Sequence, residues 1–346
     1  MGRIGQPEKI ARGLLSMKIS KRSGIAIFSL TGLALAMIIV MHQNRGPDAD
    51  PQQELMKKII SCAVIVIVCI VFARFYDKIT QLPVELWQNR RLIWKLAKND
   101  FKKRFAGSYM GALWALVQPV ITVLMYYIVF DKIMHSGGSA LRDSGEVPFV
   151  LFLTAGLVPW FYFNEAWTNA TNALREYDYL VKKVVFKISI LPIIKAISAT
   201  FIHAFFVVIL LILATIYGYY PTVYTLQVFY YSLCLFVFVL ALSYTTCSVV
   251  VLFKDLSQII NIILQVGIWA TPIMWNLDGL SDSWKIVFKL NPLVYIVNGY
   301  RDAIYGRRWF FEDFFSMMYF YVVTAVLFGL GAIIFKRLKV HFADVL

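Results

Sequence analysis

Aromatic side chains inside the apolar runs are the residues of this sequence best suited to contact a ligand. Trp160, Phe163 and Trp167 share one run, and Trp269 and Trp275 lie near the end of another. Flat apolar rings suit the CH-rich faces of sugar rings, and cations would use the same surface. The alternative is that most of these rings form the aromatic belt at the membrane interface.

One carboxylate, Glu165, lies among these rings. A carboxylate at the centre of a spanning helix costs about 2.5–3.5 kcal/mol on insertion scales, with Asp as the measured case. We therefore expect Glu165 either to face a protein interior or a wet path, or to reach water near a helix end.

No enzymatic constellation is present in the sequence. It has no GxxxxGK[ST], HExxH or GxSxG motif, so work driven by a nucleotide would need a separate subunit. The four cysteines and four histidines are scattered, which predicts no metal site and no cofactor in this chain. A glycosyl- or acyltransferase site would have to use acidic residues that are spread out without a DxD pattern: Asp278, Asp282, Asp302, Glu312 and Asp313.

The composition indicates an all-α polytopic membrane protein with little mass outside the bilayer. Of 346 residues, 60% are hydrophobic and 16% are charged, whereas a soluble domain has about a quarter charged. The net charge of +14 is clustered between hydrophobic runs, as expected of a topology signal rather than of nucleic-acid binding. Eight runs are long enough to be predicted spans: 25–41, 59–75, 113–130, 149–167, 191–217, 226–252, 256–275 and 314–335.

The distribution of Lys and Arg predicts that both termini are cytoplasmic. Residues 1–24 carry six basic residues and residues 74–104 carry nine, while the alternate loops are nearly neutral. The basic start followed by the run 25–41 is similar to a signal peptide, but no small-residue cleavage site follows His42. We therefore predict an N-terminal extension over residues 1–80 that forms an uncleaved two-span hairpin.

Residues 81–105 are predicted to form a cytoplasmic amphipathic helix that continues without a loop into the next span. Leu86, Trp87, Ile93, Trp94, Ala97 and Phe101 fall on one side, and Arg91, Lys95, Lys98 and Lys102 on another.

Two further segments have two interpretations each. Residues 175–195 are either an ordinary positive-inside loop or a short helix that docks into a partner. Residues 291–306 are too polar to span and too apolar for a free loop, so they form either re-entrant gate helices or a plain amphipathic outer helix.

From about Leu82 to its end, the chain resembles the ABC-2 type permease subunits of bacterial exporters of O-antigen, capsule and teichoic acid. Each matching piece is weak alone, but the pieces occur in order over about three quarters of the chain. They are residues 99–105 with Ser108 and Gly111, Trp114, Pro119, residues 156–160, 180–184, 191–192, 253–255, 271–273, 291–293 and 335–339.

The resemblance implies a six-helix domain over residues 106–346 and a homodimer whose joint interface forms an aromatic-lined channel for a lipid-linked glycan in the bacterial inner membrane. Two copies of a separate ATPase, which would bind the ATP and Mg²⁺, are expected underneath. The implied coupling helix covers about residues 172–190, and the periplasmic gate helices about residues 280–310. The expected ATPase-coupling residues are Arg91, Lys95, Lys98, Arg175, Glu176, Asp178, Lys182 and Lys183. The expected substrate path is Trp114, Trp160, Phe163, Glu165, Trp167, Trp269, Trp275, Tyr295, Tyr300 and Arg301.

The chain departs from the family pattern at two places. Family members commonly have Pro after the aromatic residue of the coupling segment, where this chain has Lys187 after Phe186. Most members also lack the two spans before Leu82. Two alternatives stay open: an ABC-2 exporter of a small hydrophobic drug or lipid, and a polytopic glycosyl- or acyltransferase.

Overall fold

The computed structural model describes residues 21–41, 51–107, 109–133, 147–182 and 187–345. By its internal contacts the chain divides into two compact units, Met1–Gln81 and Leu82–Leu346. Most of the described residues are helical, and the predicted all-α membrane fold is confirmed.

The first unit contains a pair of apolar helices, α1 and α2, which cover Lys21–Met41 and Pro51–Ile79. Phe28 and Phe72 stack between them at 3.9 Å between ring centroids. Lys21 and Asp77 form an exposed ion pair at 2.5 Å. The predicted connection between the two spans lies mostly outside the described residues.

The second unit begins with two short helices and continues with the longer spans. Its α-helices are α3 Gln81–Gln88, α4 Arg90–Arg104, α5 Trp114–Tyr126, α6 Phe149–Glu176, α7 Asp178–Val181, α8 Leu191–Ile216, α9 Gln227–Leu252, α10 Leu256–Ala270, α11 Asp282–Lys289, α12 Leu293–Arg301, α13 Phe314–Leu338 and α14 Phe342–Val345.

Six of the described helices are long and apolar enough to cross a membrane. Six of the eight predicted spans correspond to them. The predicted span 113–130 is instead made of α5 and a π-helical continuation, Tyr127–Ile133. The predicted span 256–275 stops early, because α10 ends at Ala270. Pro272 lacks an N–H and disfavours helical geometry at Thr271, whose backbone is extended.

The core of the second unit is built around α6, which packs against α8, α9 and α12. Residues 149–160 of α6 are buried without a break. A helix that is apolar on all sides is expected to be surrounded by other helices, and α6 fits this rule.

The amphipathic region differs from its prediction in two ways. It is two helices, α3 and α4, separated at Asn89, whose side-chain amide donates to the Glu85 carbonyl at 2.6 Å. It also does not continue directly into a span. Gly107 and Gly111 have positive φ angles of 84° and 53°, a conformation that Gly adopts without steric cost, and they turn the chain before α5.

Candidate functional site

A partly buried cluster of charged and polar side chains joins the amphipathic helix α4 to the ends of two spans. The Lys195 ammonium on α8 contacts Asp100 of α4 at 2.7 Å and Glu176 of α6 at 2.5 Å. Tyr177, which follows α6, donates its hydroxyl to the same Asp100 oxygen at 2.5 Å. Asp100 and Lys195 are each only 7% exposed. This charged cluster (Asp100, Glu176, Tyr177, Lys195) therefore ties three helices together at one point.

The position of Asp100 follows from the packing of α4. Ile93, Ala97 and Asp100 recur at i, i+4 and i+7 and form its buried face against α8. A carboxylate on such a face needs a partner, since an unpaired buried charge is costly. The lysine of α8 supplies it.

The electrostatics of the charged cluster favour the ionised form of Asp100. Burial by itself would raise the pKa of this carboxyl. Hydrogen bonds from Lys195 and Tyr177 and the charge of Lys195 outweigh burial and lower the pKa below its usual value. Burial, the hydrogen bond to Asp100 and the nearby negative charge raise the pKa of Tyr177. Asp100 is thus a carboxylate and Tyr177 a neutral phenol at neutral pH.

A second contact links α3 to the segment that precedes α8. Ser189 donates its hydroxyl to Glu85 at 2.7 Å, and its carbonyl accepts from the buried Tyr244 hydroxyl at 2.9 Å. Both short amphipathic helices therefore contact the segment that joins α6 to α8.

The predicted coupling residues surround these contacts. Asp178 opens the single helical turn α7 and is half-buried. Lys183 lies outside the described residues, and the predicted coupling helix is described only as α7 and a 3₁₀ turn, Ile188–Ile190. The exposed members of the set are Arg91, Lys95, Lys98, Arg175, Glu176 and Lys182.

The predicted substrate-path residues separate into an exposed and a buried group. Trp114 and Trp269 are more than half exposed, and Trp275 is half-buried. Glu165 is partly exposed and forms an ion pair with Arg104. The buried members are Trp160, Phe163, Trp167, Tyr295, Tyr300 and Arg301. Whether any of them contacts a substrate stays a prediction.

The buried Arg301 holds the break after α10. Its guanidinium donates to the carbonyls of Pro272 at 2.8 Å and Ile273 at 2.7 Å, and it lies 3.6 Å from the ring centroid of Phe152. The break frees backbone carbonyls from helical hydrogen bonds, and Arg301 satisfies two of them.

Two clusters of polar groups hold the buried face of α12. Tyr300, Ser232 and His203 lie within 2.6–3.2 Å of one another through their polar atoms. Tyr230 bridges the hydroxyls of Tyr295 and Tyr321 at 3.0 and 2.6 Å. These contacts fix α12 between the spans, whereas α11 has no buried residue.

A groove of about 520 Å³ lies between α6 and α10. Its polar lining consists of carboxamides, from Asn164 on α6 and from Gln258, Asn261 and Gln265 on α10. Its aromatic lining comes from Trp160 and Trp269, two of the predicted substrate-path residues, and Leu264 and Ile268 complete it.

The sequence interpretation missed Asp100, Lys195 and the three carboxamides of α10. A signal existed for each: Asp100 follows Ile93 and Ala97 at helical spacing, and Lys195 is a lone charge near the start of an apolar run. Gln258, Asn261 and Gln265 recur at i, i+3 and i+7 in a helix that is apolar elsewhere except at Ser257.

The residues that the structure describes do not suggest a metal centre. Within the described ranges, no three His, Cys, Asp or Glu side chains come together in a way that could hold a metal ion. Two of the acidic residues considered for a transferase are engaged locally: Glu312 accepts from the Trp309 amide at 3.0 Å, and Asp282 contacts Lys285 at 3.4 Å.

Comparison with known proteins adds two findings. A family model described as "ABC-2 type transporter" matches residues 91–305. The chain is 28% identical over 266 residues to the O-antigen export system permease protein RfbA of Myxococcus xanthus, covering 76% of this chain and 98% of the relative. It is 24% identical to a protein of the same name from Klebsiella pneumoniae, with 72% and 93% covered. The polysialic acid transport protein KpsM of Escherichia coli is 22% identical, with 68% and 89% covered.

Proposed function

The chain belongs to the ABC-2 type transporter family, and we propose that it is the membrane-spanning permease subunit of an ATP-driven exporter of a lipid-linked polysaccharide. The names of its relatives, which refer to export of O-antigen and transport of polysialic acid, support the substrate class. The sequence has no phosphate-binding loop, so ATP hydrolysis would belong to a separate subunit.

The observation that carries this proposal is the charged cluster. Asp100 contacts both Tyr177 and Lys195, so the end of α4 lies beside the α6–α8 connection. One partner can therefore contact the exposed basic face of α4 and the turn α7 together. A displacement of α4 or α7 would therefore be transmitted directly to α6 and α8, as a mechanism of rigid-body movement requires.

In this proposal Arg91, Lys95, Lys98 and Lys182 form part of the contact surface for the ATPase. Two permease chains would pair, with one ATPase bound to each, in the bacterial inner membrane. Both termini would be cytoplasmic. The glycan would pass between the two permease chains, and the buried helix α12 would form part of the outer gate.

The test is reconstitution of the purified chain in lipid nanodiscs, with and without the ATPase encoded beside it. We expect no ATP hydrolysis by the chain alone, and hydrolysis together with glycan export in cells when both subunits are present. Hydrolysis by the isolated chain would contradict the proposal that a separate subunit hydrolyses ATP. Export of a hydrophobic small molecule in place of a glycan would favour the drug or lipid alternative.

Charge reversal tests the proposed contact surface. The triple variant Arg91→Glu, Lys95→Glu, Lys98→Glu is expected to lose co-purification of the ATPase. The matched control is Lys289→Glu, which changes an exposed basic residue on α11. Equal loss in the control would indicate a general charge effect, and retained co-purification in the triple variant would place the contact elsewhere.

A further inference from the structure

The carboxamide groove between α6 and α10 has a composition that is unusual within a membrane domain. Gln258, Asn261 and Gln265 lie along one face of α10, while the rest of this helix, apart from Ser257, is apolar. Polar side chains at membrane depth are costly and commonly mark a polar path. The carboxamides therefore require an explanation.

Hydrogen bonds within the chain do not account for these carboxamides. Among the described residues, the side chains of Asn164, Gln258, Asn261 and Gln265 form no hydrogen bond with another residue. Each carboxamide offers two donors and one acceptor oxygen. The groove thus presents both donors and acceptors to whatever occupies it.

The aromatic part of the groove is fixed in position. The ring of Trp160 lies so close to Gly267 that a Cβ there would meet it at 2.9 Å. Glycine thus lets this buried ring pack directly on the α10 backbone. Trp269, by contrast, is 58% exposed at the groove. A ring face beside carboxamides is the combination that suits a sugar, with its CH-rich face and its hydroxyl edge.

The lining of the groove offers no cation to an acidic polymer, because its residues are all uncharged. Lys254, the cation closest to the groove along the chain, precedes α10 and is not among the lining residues. Arg104 forms an ion pair with Glu165, the neighbour of Asn164. An anionic chain would lose hydration here without gaining an opposite charge.

We infer that this groove contacts the transported polysaccharide and that the polymer it accepts consists of neutral sugars. This inference rests on the proposed export function and adds the chemical class of the substrate. The carboxamides would bind sugar hydroxyls, and Trp269 would stack on the ring faces as the chain passes.

The test uses the complete permease–ATPase complex in nanodiscs and two soluble probes of similar length, a neutral glucan oligomer and an oligogalacturonate. Binding is measured by equilibrium dialysis. We expect the neutral probe to bind and the acidic probe to bind at least about tenfold more weakly. The triple variant replaces the three carboxamides by apolar side chains of similar size: Gln258→Met, Asn261→Leu and Gln265→Met. It should weaken binding of the neutral probe at least about tenfold, because each lost hydrogen bond lowers the affinity about two- to tenfold. The control Ile263→Met changes the same helix outside the groove.

Each outcome decides the inference. Equal or tighter binding of the acidic probe, no binding of the neutral probe, or unchanged binding in the triple variant would overturn it. Loss of binding together with a change in oligomeric state, read by light scattering, would assign the groove to contact between two copies and also overturn it. Glycan export by the wild-type complex, followed in parallel, tests the proposed function separately: export of an acidic glycan would refute only the neutral-sugar inference.

Discussion

Replacing Lys195 by Met tests the charged cluster most directly. The change keeps the length of the side chain but leaves the buried Asp100 carboxylate without its cation. Breaking a buried ion pair by removing one partner costs about 3–5 kcal/mol. Glu176 is 48% exposed and contributes little to that sum, because water replaces its partner. Asp100 also keeps the hydrogen bond from Tyr177, so we expect the lower end, about 3 kcal/mol.

The assay is a double-mutant cycle on the purified protein in detergent, with unfolding followed by denaturant titration. Asp100→Asn keeps an acceptor for Tyr177 and removes the charge that Lys195 neutralises. The loss of unfolding free energy in the double variant should be smaller than the sum of the two single losses by at least about 1 kcal/mol. A Lys195→Met variant within about 0.5 kcal/mol of wild type, or a strictly additive cycle, would refute the reasoning.

The same cluster gives a dependence on pH. The pKa of Asp100 is lowered in the folded state, so its stabilisation is fully present above the unfolded value of about 3.9. That stabilisation is lost as pH falls through the still lower folded value. Unfolding midpoints from pH 7 to pH 3 should fall more steeply below about pH 4 in wild type than in Asp100→Asn. Parallel curves would show that Asp100 does not contribute.

Two further predictions concern the segment after α10. Gly299→Ala should destabilise the protein by about 1–3 kcal/mol, because the new Cβ would overlap the ring of Tyr231, whereas Gly279→Ala, in open space, should leave the unfolding midpoint unchanged. Arg301→Met should cost about 3 kcal/mol by leaving two buried carbonyls without donors, with the exposed Lys289→Met as its control. A stable Gly299→Ala variant would mean that α12 can move away from α9, and a stable Arg301→Met variant would mean that the break holds without the guanidinium.

Hydropathy made the spans predictable because it is a local property of each run. Pro272 also lies within the predicted span 256–275, and its effect on helix geometry explains why α10 ends at Ala270. Composition alone could not predict that Arg301 would bind the carbonyls at that break, since the contact joins residues 29 positions apart.

The buried face of α4 was harder to predict because it carries a charged residue. Trp94, on the predicted apolar side, is 50% exposed, whereas Asp100 is buried. The partner that makes Asp100 suitable for burial lies 95 residues away on α8. Periodicity gives the faces of a helix, and only the tertiary contact decides which face packs inward.

The charged cluster also has a consequence for biogenesis. Asp100 precedes Lys195 by 95 residues, so the counter-charge of Lys195 is already synthesised when α8 is made. A lysine at the centre of an inserting helix costs about 2.5–3.5 kcal/mol at the translocon. Lys195 lies near the start of α8, where that insertion penalty is smaller. Pairing with the Asp100 carboxylate of α4 offsets part of the remaining penalty. In the order of synthesis, the carboxylate of α4 is thus available to pair with the lysine of α8 as soon as that helix is made.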